Sequence, residues 1–138
     1  MLFRSILNYL QNFLTELGTG FCFEARQKRI TFDNEHHRID LVFYHRILKC
    51  HVLIDLKIGK FSYADAGQMT LYLNYYENEE MTEEDNLPIG IILCADKNDT
   101  LVKYTTADKN EQLFVSKYLL GLPDKKILEN FIRKEING

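Results

Sequence analysis

The sequence predicts an α/β fold of the α+β kind, a mixed central sheet flanked by helices. Three observations predict it. Residues 2 to 17 carry apolar side chains at helical spacing. Residues 21 to 57 hold three strand-patterned runs separated by turn signals. A second helical stretch follows, and after it a continuous apolar run returns the chain to the sheet.

Taken in order, Leu2, Phe3, Ile6, Leu7, Leu10, Phe13, Leu14 and Leu17 make one face of an amphipathic helix that Gly18 and Gly20 end. Phe21 to Phe32 alternates as a strand does, and Asp33-Asn34 is a turn signal into a central hairpin. Ile39 to Lys57 reads as two apolar strands joined by a polar break near His45 and Arg46, and Gly59 is expected to end the second. Tyr63 to Tyr76 reads as a helix. Ile89 to Ala95 is apolar throughout, as a strand buried on both faces would be. Leu101 to Thr105 reads as a short strand, Leu113 to Leu119 fits either state, and Pro123-Asp124 opens a last helix through Ile136.

At 138 residues, with 46 % hydrophobic and 27 % charged residues, the chain suits a single globular domain spanning 1–138. No apolar run approaches the roughly 20 residues of a membrane span. Cys22, Cys50 and Cys94 are widely spaced and odd in number, which argues for reduced core thiols and a cytoplasmic protein. The net charge of −3 hides an asymmetry, because six acids crowd into Glu77–Asp85 without a single Lys or Arg. A solvated acidic loop there leaves the remainder mildly basic, so composition permits a nucleic-acid partner without arguing for one.

The central hairpin carries two carboxylates that a core strand does not need, Asp40 and Asp55. A tight turn centred between Ile47 and Leu48 places them opposite each other, about 4.5–5.5 Å apart at Cβ. Two carboxylates so close repel, and a cation between them relieves this. Lys57, two residues beyond Asp55, shares its face. The set suits a divalent-metal site with a positive group beside it. The plainer reading has Asp40 capping a turn and Asp55 paired with Lys57.

Asp40, then Asp55-Leu56-Lys57 on the next strand, then a helix carrying Gln68 and Tyr72, resembles the PD-(D/E)XK nuclease superfamily. Five further strings narrow the likeness to the YhcG-like bacterial nuclease family: Glu16-Leu17-Gly18, Arg26-Gln27, Ile39-Asp40-Leu41, Ile58-Gly59 after Lys57, and Ala66-Gly67-Gln68-Met69. The resemblance covers roughly residues 12 to 123. Ile39 stands where the superfamily has Pro, and the second acid is Asp rather than Glu. The resemblance implies a restriction-endonuclease-like α-β-β-β-α-β core and a metal-dependent nuclease, with DNA the expected substrate. The rival reading is an inactive nuclease-fold module that binds DNA or a protein, and a third is a structural subunit docking through its first helix. Family members usually carry a further N-terminal domain thought to help bind DNA, and this chain starts almost where the nuclease-like domain would.

By that resemblance Asp40, Asp55 and the Leu56 carbonyl hold Mg²⁺ or Mn²⁺, and Lys57, Gln68 and Glu16 assist the chemistry. Glu16 stands at the end of the first helix, where the helix dipole disfavours a negative charge. Arg26, Gln27 and Tyr72 are expected to touch the nucleic-acid backbone, with Lys28 and Arg29 extending a basic strand edge. His36 and His37 read as loop residues. Tyr63, Tyr75 and Tyr76 are expected to offer a stacking or homodimer surface.

Overall fold

A computed structural model describes residues 7–8, 11, 20–109 and 111–117. The expected helices at 2–17 and 123–136 lie largely or wholly outside these, although Leu7, Asn8 and Gln11 are helical. Five strands form one sheet in chain order: β1 (Phe21–Phe32), β2 (Glu35–His45), β3 (Cys50–Lys60), β4 (Ile89–Asp96) and β5 (Leu113–Lys117). The first three are antiparallel neighbours, whereas β3, β4 and β5 run parallel. Parallel strands need a crossover, and α1 (Tyr63–Tyr75) supplies the first and α2 (Asp99–Thr105) the second.

Local chemistry explains the corners. Asp33 and Asn34 have φ of 45° and 70°, the left-handed pair that a two-residue hairpin requires and that Asn and Asp tolerate. The β2–β3 register runs Leu41 to Ile54 through His45 to Cys50, so the hairpin is centred where the apolar pattern placed it. Ser62 and Asp65 cap α1 reciprocally: the Asp65 carboxylate accepts from the Ser62 N–H at 2.8 Å and from its hydroxyl at 3.1 Å. Gly90 permits close packing, since a Cβ there would stand 2.7 Å from the Met69 side chain.

Two apolar layers cover the sheet. Leu41, Phe43, Val52, Ile54, Leu56, Ile91 and Leu93 form one with Leu7, and Leu53, Ile92 and Cys94 form the other with Ala66, Met69, Tyr72 and Leu73 of α1. β4 is therefore buried on both sides, as its unbroken apolar run requires.

Several expectations are corrected. Residues 99 to 105 are a helix, because the Asn98 side chain accepts from the Leu101 N–H at 3.0 Å and starts one. Leu113–Lys117, where the sequence fits either state, is a strand. Gly59, with φ of 131°, makes an irregularity inside β3, and pairing resumes at Lys60. His36 and His37 lie within β2. All three cysteines are free, but Cys22 is exposed and not a core thiol. Tyr76 is fully buried, so of the three tyrosines only Tyr63 presents an open ring, 72 % exposed. The acidic segment is not simply solvated: Glu77 contacts Lys109 and Gln112, Glu80 contacts Lys28, and Asp85 accepts from Tyr44. Among the described residues no helix is long and apolar enough to cross a membrane.

Candidate active site

β3 turns its even-numbered side chains, Val52 to Leu56, into the layer opposite α1. Alternation then puts Asp55 and Lys57 on the α1 side. There an open cavity of roughly 290 Å³ is lined by Arg38, Asp40, Asp55, Leu56, Lys57, Asp65, Gln68 and Ile92. It gathers Asp40, Asp55, Leu56, Lys57 and Gln68, five residues that the sequence singles out.

The described β2–β3 pairs end at Leu41 and Ile54. Beyond that point the acids themselves join the strands. The Asp40 N–H donates to Asp55 Oδ1 at 3.2 Å, and the Leu56 N–H donates to Asp40 Oδ2 at 2.8 Å. Gln27 Nε2 donates to Asp40 Oδ1 at 2.8 Å. Asp55 Oδ2 has no hydrogen-bond donor among the described residues.

Electrostatics follow from this crowding. Burial first, and then the negative charge of Asp40, push the Asp55 carboxyl up to about 7, against the lesser help of the Asp40 N–H. Asp40 is raised as well, chiefly by burial, while the donors on Leu56 and Gln27 and the charge of Arg26 act in the opposite direction. Lys57 does not neutralise the pair. Its Nζ stands 3.5 Å from Asp65 Oδ1, so the plain Asp55–Lys57 bridge is not what forms.

The donor set fits a hard dication. Among the described residues the two opposed carboxylates form no ion pair, with Arg26 only a minor favourable charge on Asp40; Asp55 is costly to ionise, and one of its oxygens has no donor there. Among the described residues no three His, Cys, Asp or Glu side chains converge, so further ligands would be the Leu56 carbonyl, water or substrate. This suits Mg²⁺, which keeps several waters.

The remaining candidates are placed differently. Glu16 lies outside the described residues. Arg26 donates to Asn8 and Gln11, which ties β1 to the N-terminal segment. Gln27 is spent on Asp40. Tyr72 is fully buried and its hydroxyl donates to the Arg38 carbonyl at 3.2 Å, so its phenol is not presented to a ligand. Lys28 pairs with Glu80, and Arg29 contacts His36. Two cavity residues are additions. Arg38 lies two positions before Asp40 and Asp65 three after Ser62; strand alternation and the capping-box spacing are the sequence signals that point to them.

The chain matches the family described as "YhcG PDDEXK nuclease domain" over residues 1–134. It is 44 % identical over 125 residues to the Escherichia coli (strain K12) protein named "Putative nuclease YhcG", covering 91 % of this chain and 33 % of that protein. The chain thus spans about a third of that relative's length. Two solved structures share the fold. A repair endonuclease from Pyrococcus abyssi superposes with a TM-score of 0.56 at 18 % identity, over 83 % of this chain and 46 % of that one. A protein of unknown function, AF1548, gives 0.53 at 14 % identity, over 94 % and 77 %. The mixed sheet with its flanking helices is the restriction-endonuclease-like fold.

Proposed function

The chain belongs to the YhcG PDDEXK nuclease domain family, and we propose that it is a metal-dependent nuclease domain that hydrolyses phosphodiester bonds in DNA. The observation that carries this reading is the half-buried Asp40–Asp55 pair, which no side-chain ion pair neutralises among the described residues and which opens to a cavity that also holds Lys57 and Arg38. A nuclease fold kept only for binding has no need of two opposed, half-buried acids.

Asp40 and Asp55, with the Leu56 carbonyl, are the groups that would hold Mg²⁺ or Mn²⁺. When bound, such an ion supplies Lewis acidity toward the scissile phosphate and toward an attacking water. Asp65 holds the Lys57 ammonium at the cavity wall, where Nζ can donate to a phosphate oxygen as negative charge grows on it. Arg38, permanently charged, has no side-chain partner among the described residues and is available to a second phosphate oxygen. Gln68, exposed on α1, contributes an amide to the same wall. Tyr72 acts at one remove, fixing the Arg38 backbone from within the core.

Calorimetric titration with Mg²⁺ or Mn²⁺ tests the reading. Binding is expected in the wild type and in Lys57→Ala, and is lost in Asp55→Ala. Absence of binding in the wild type, with DNA present, contradicts it and favours the inactive module.

A further inference from the structure

Gln27 has a backbone that its position in the chain does not call for. Its φ is 53°, in the left-handed region that side chains other than glycine rarely adopt. Three other described non-glycine residues share a positive φ: Asp33, Asn34 and Lys49. Those sit in the two hairpin turns. Gln27 sits in the middle of β1, between Arg26, paired with Leu41, and Lys28, paired with Ile39. Both pairs have the same offset, and the register shift in this strand falls earlier, between Phe23 and Ala25. Neither a turn nor a slipped register accounts for the strain.

The side chain does account for it. The strand pairing skips Gln27 itself, but the offset of its neighbours puts it level with Asp40, and its amide donates to Oδ1 at 2.8 Å while the Leu56 N–H donates to Oδ2 at 2.8 Å. Each oxygen of Asp40 thus holds one donor, and the carboxylate plane is fixed from two directions. Strain that survives in a strand is held by its surroundings and tends to mark function.

We propose that Gln27 is a positioning residue for Asp40, whose left-handed backbone aims its amide at Oδ1 and so orients the carboxylate to share a divalent cation with Asp55. The inference rests on the reading of Asp40 and Asp55 as a cation site. It also reassigns Gln27 from the phosphate contact that the sequence suggests, since its amide is already committed inside the protein. Donors behind a ligating carboxylate typically matter about 10–100-fold in metal affinity.

The test substitutes Gln27→Gly in the full chain. Glycine accepts a positive φ without strain, so the fold is expected to melt at the same temperature or higher. The amide is gone, so the Mn²⁺ dissociation constant by calorimetry is expected to rise about 10–100-fold. Gln27→Asn provides the second variant: it tolerates the backbone but is one methylene too short to reach Asp40, and the same loss is expected. Wild-type affinity in both variants overturns the role of Gln27 and leaves the Asp40–Asp55 cation site intact. Lower stability with unchanged Mn²⁺ affinity makes the hydrogen bond merely structural and also overturns it. A wild type that binds no Mn²⁺ removes the cation site itself, and the inference with it.

Discussion

Replacing Asp55 by Asn should stabilise the metal-free protein at pH 8. The Asp55 carboxyl goes from its ordinary 3.8 to about 7 on folding, through burial and the charge of Asp40. At 1.36 kcal/mol per unit, ionising it in the folded state costs about 4 kcal/mol more than in the unfolded chain. The sign follows from which state binds more protons. The folded form holds the proton more tightly, so the carboxyl's favourable contribution is complete below about pH 4 and is lost as pH rises through 7. Asparagine keeps an oxygen for the Asp40 N–H and carries no charge. Water entering the open cavity lowers the realised gain to about 1–3 kcal/mol, or about 3–10 °C in melting temperature for a domain of this size. Thermal unfolding in EDTA, followed by circular dichroism from pH 4 to pH 8, measures this directly. The gap between variant and wild type should open between pH 4 and 7 and then level off. Millimolar Mn²⁺ should raise the wild type alone. If Asp55→Asn melts at or below the wild type at pH 8, Asp55 is an ordinary hydrogen-bond acceptor and the argument for an unmet charge fails.

Other consequences can be checked with the same material. Asp65→Asn frees the Lys57 ammonium from its partner 3.5 Å away; metal affinity should hold while cleavage falls about 10-fold or more, through misplacement alone. Gly90→Ala drives a methyl to 2.7 Å from Met69, itself fully buried, and should cost about 1–3 kcal/mol in urea unfolding. Asp85 is held below the usual carboxylate range first by the Thr82 N–H and next by the Tyr44 hydroxyl. Its contribution is present above about pH 4 and lost as pH falls. Asp85→Asn should therefore destabilise the protein at pH 7, by about 1–2 kcal/mol for the weakened hydrogen bonds, and much less at pH 3.

What sequence could carry was the local part. Alternation over Ile39 to Lys57 and a turn centre between Ile47 and Leu48 were enough to set two acids 15 positions apart opposite each other, because strand register depends on little else. The helix at 99–105 is not legible in the sequence because Val102, Tyr104 and Thr105 suit a strand, while the cap on Asn98 that starts the helix lies outside that run. Gln68 and Tyr72 share a helical spacing, yet one is exposed and the other fully buried. Spacing places both toward the sheet but does not say where the packed interface ends and the cavity begins. Apart from the Thr82 N–H on Asp85, the partners of Glu77, Glu80 and Asp85 named above lie 32 to 52 positions away, and no pattern within the acidic run announces them. Gln27 was hardest to read, since nothing in a glutamine suggests a left-handed backbone in mid-strand.

The measurement closest to the central claim is cleavage of single-stranded and duplex DNA, with RNA in parallel, by the purified chain in Mg²⁺ or Mn²⁺. The account predicts phosphodiester products that EDTA abolishes and that both Asp55→Asn and Lys57→Ala lack, with Asp55→Asn still folded. Cleavage undiminished in Asp55→Asn, or a wild type that neither cuts any of these substrates nor binds the cation, would contradict it.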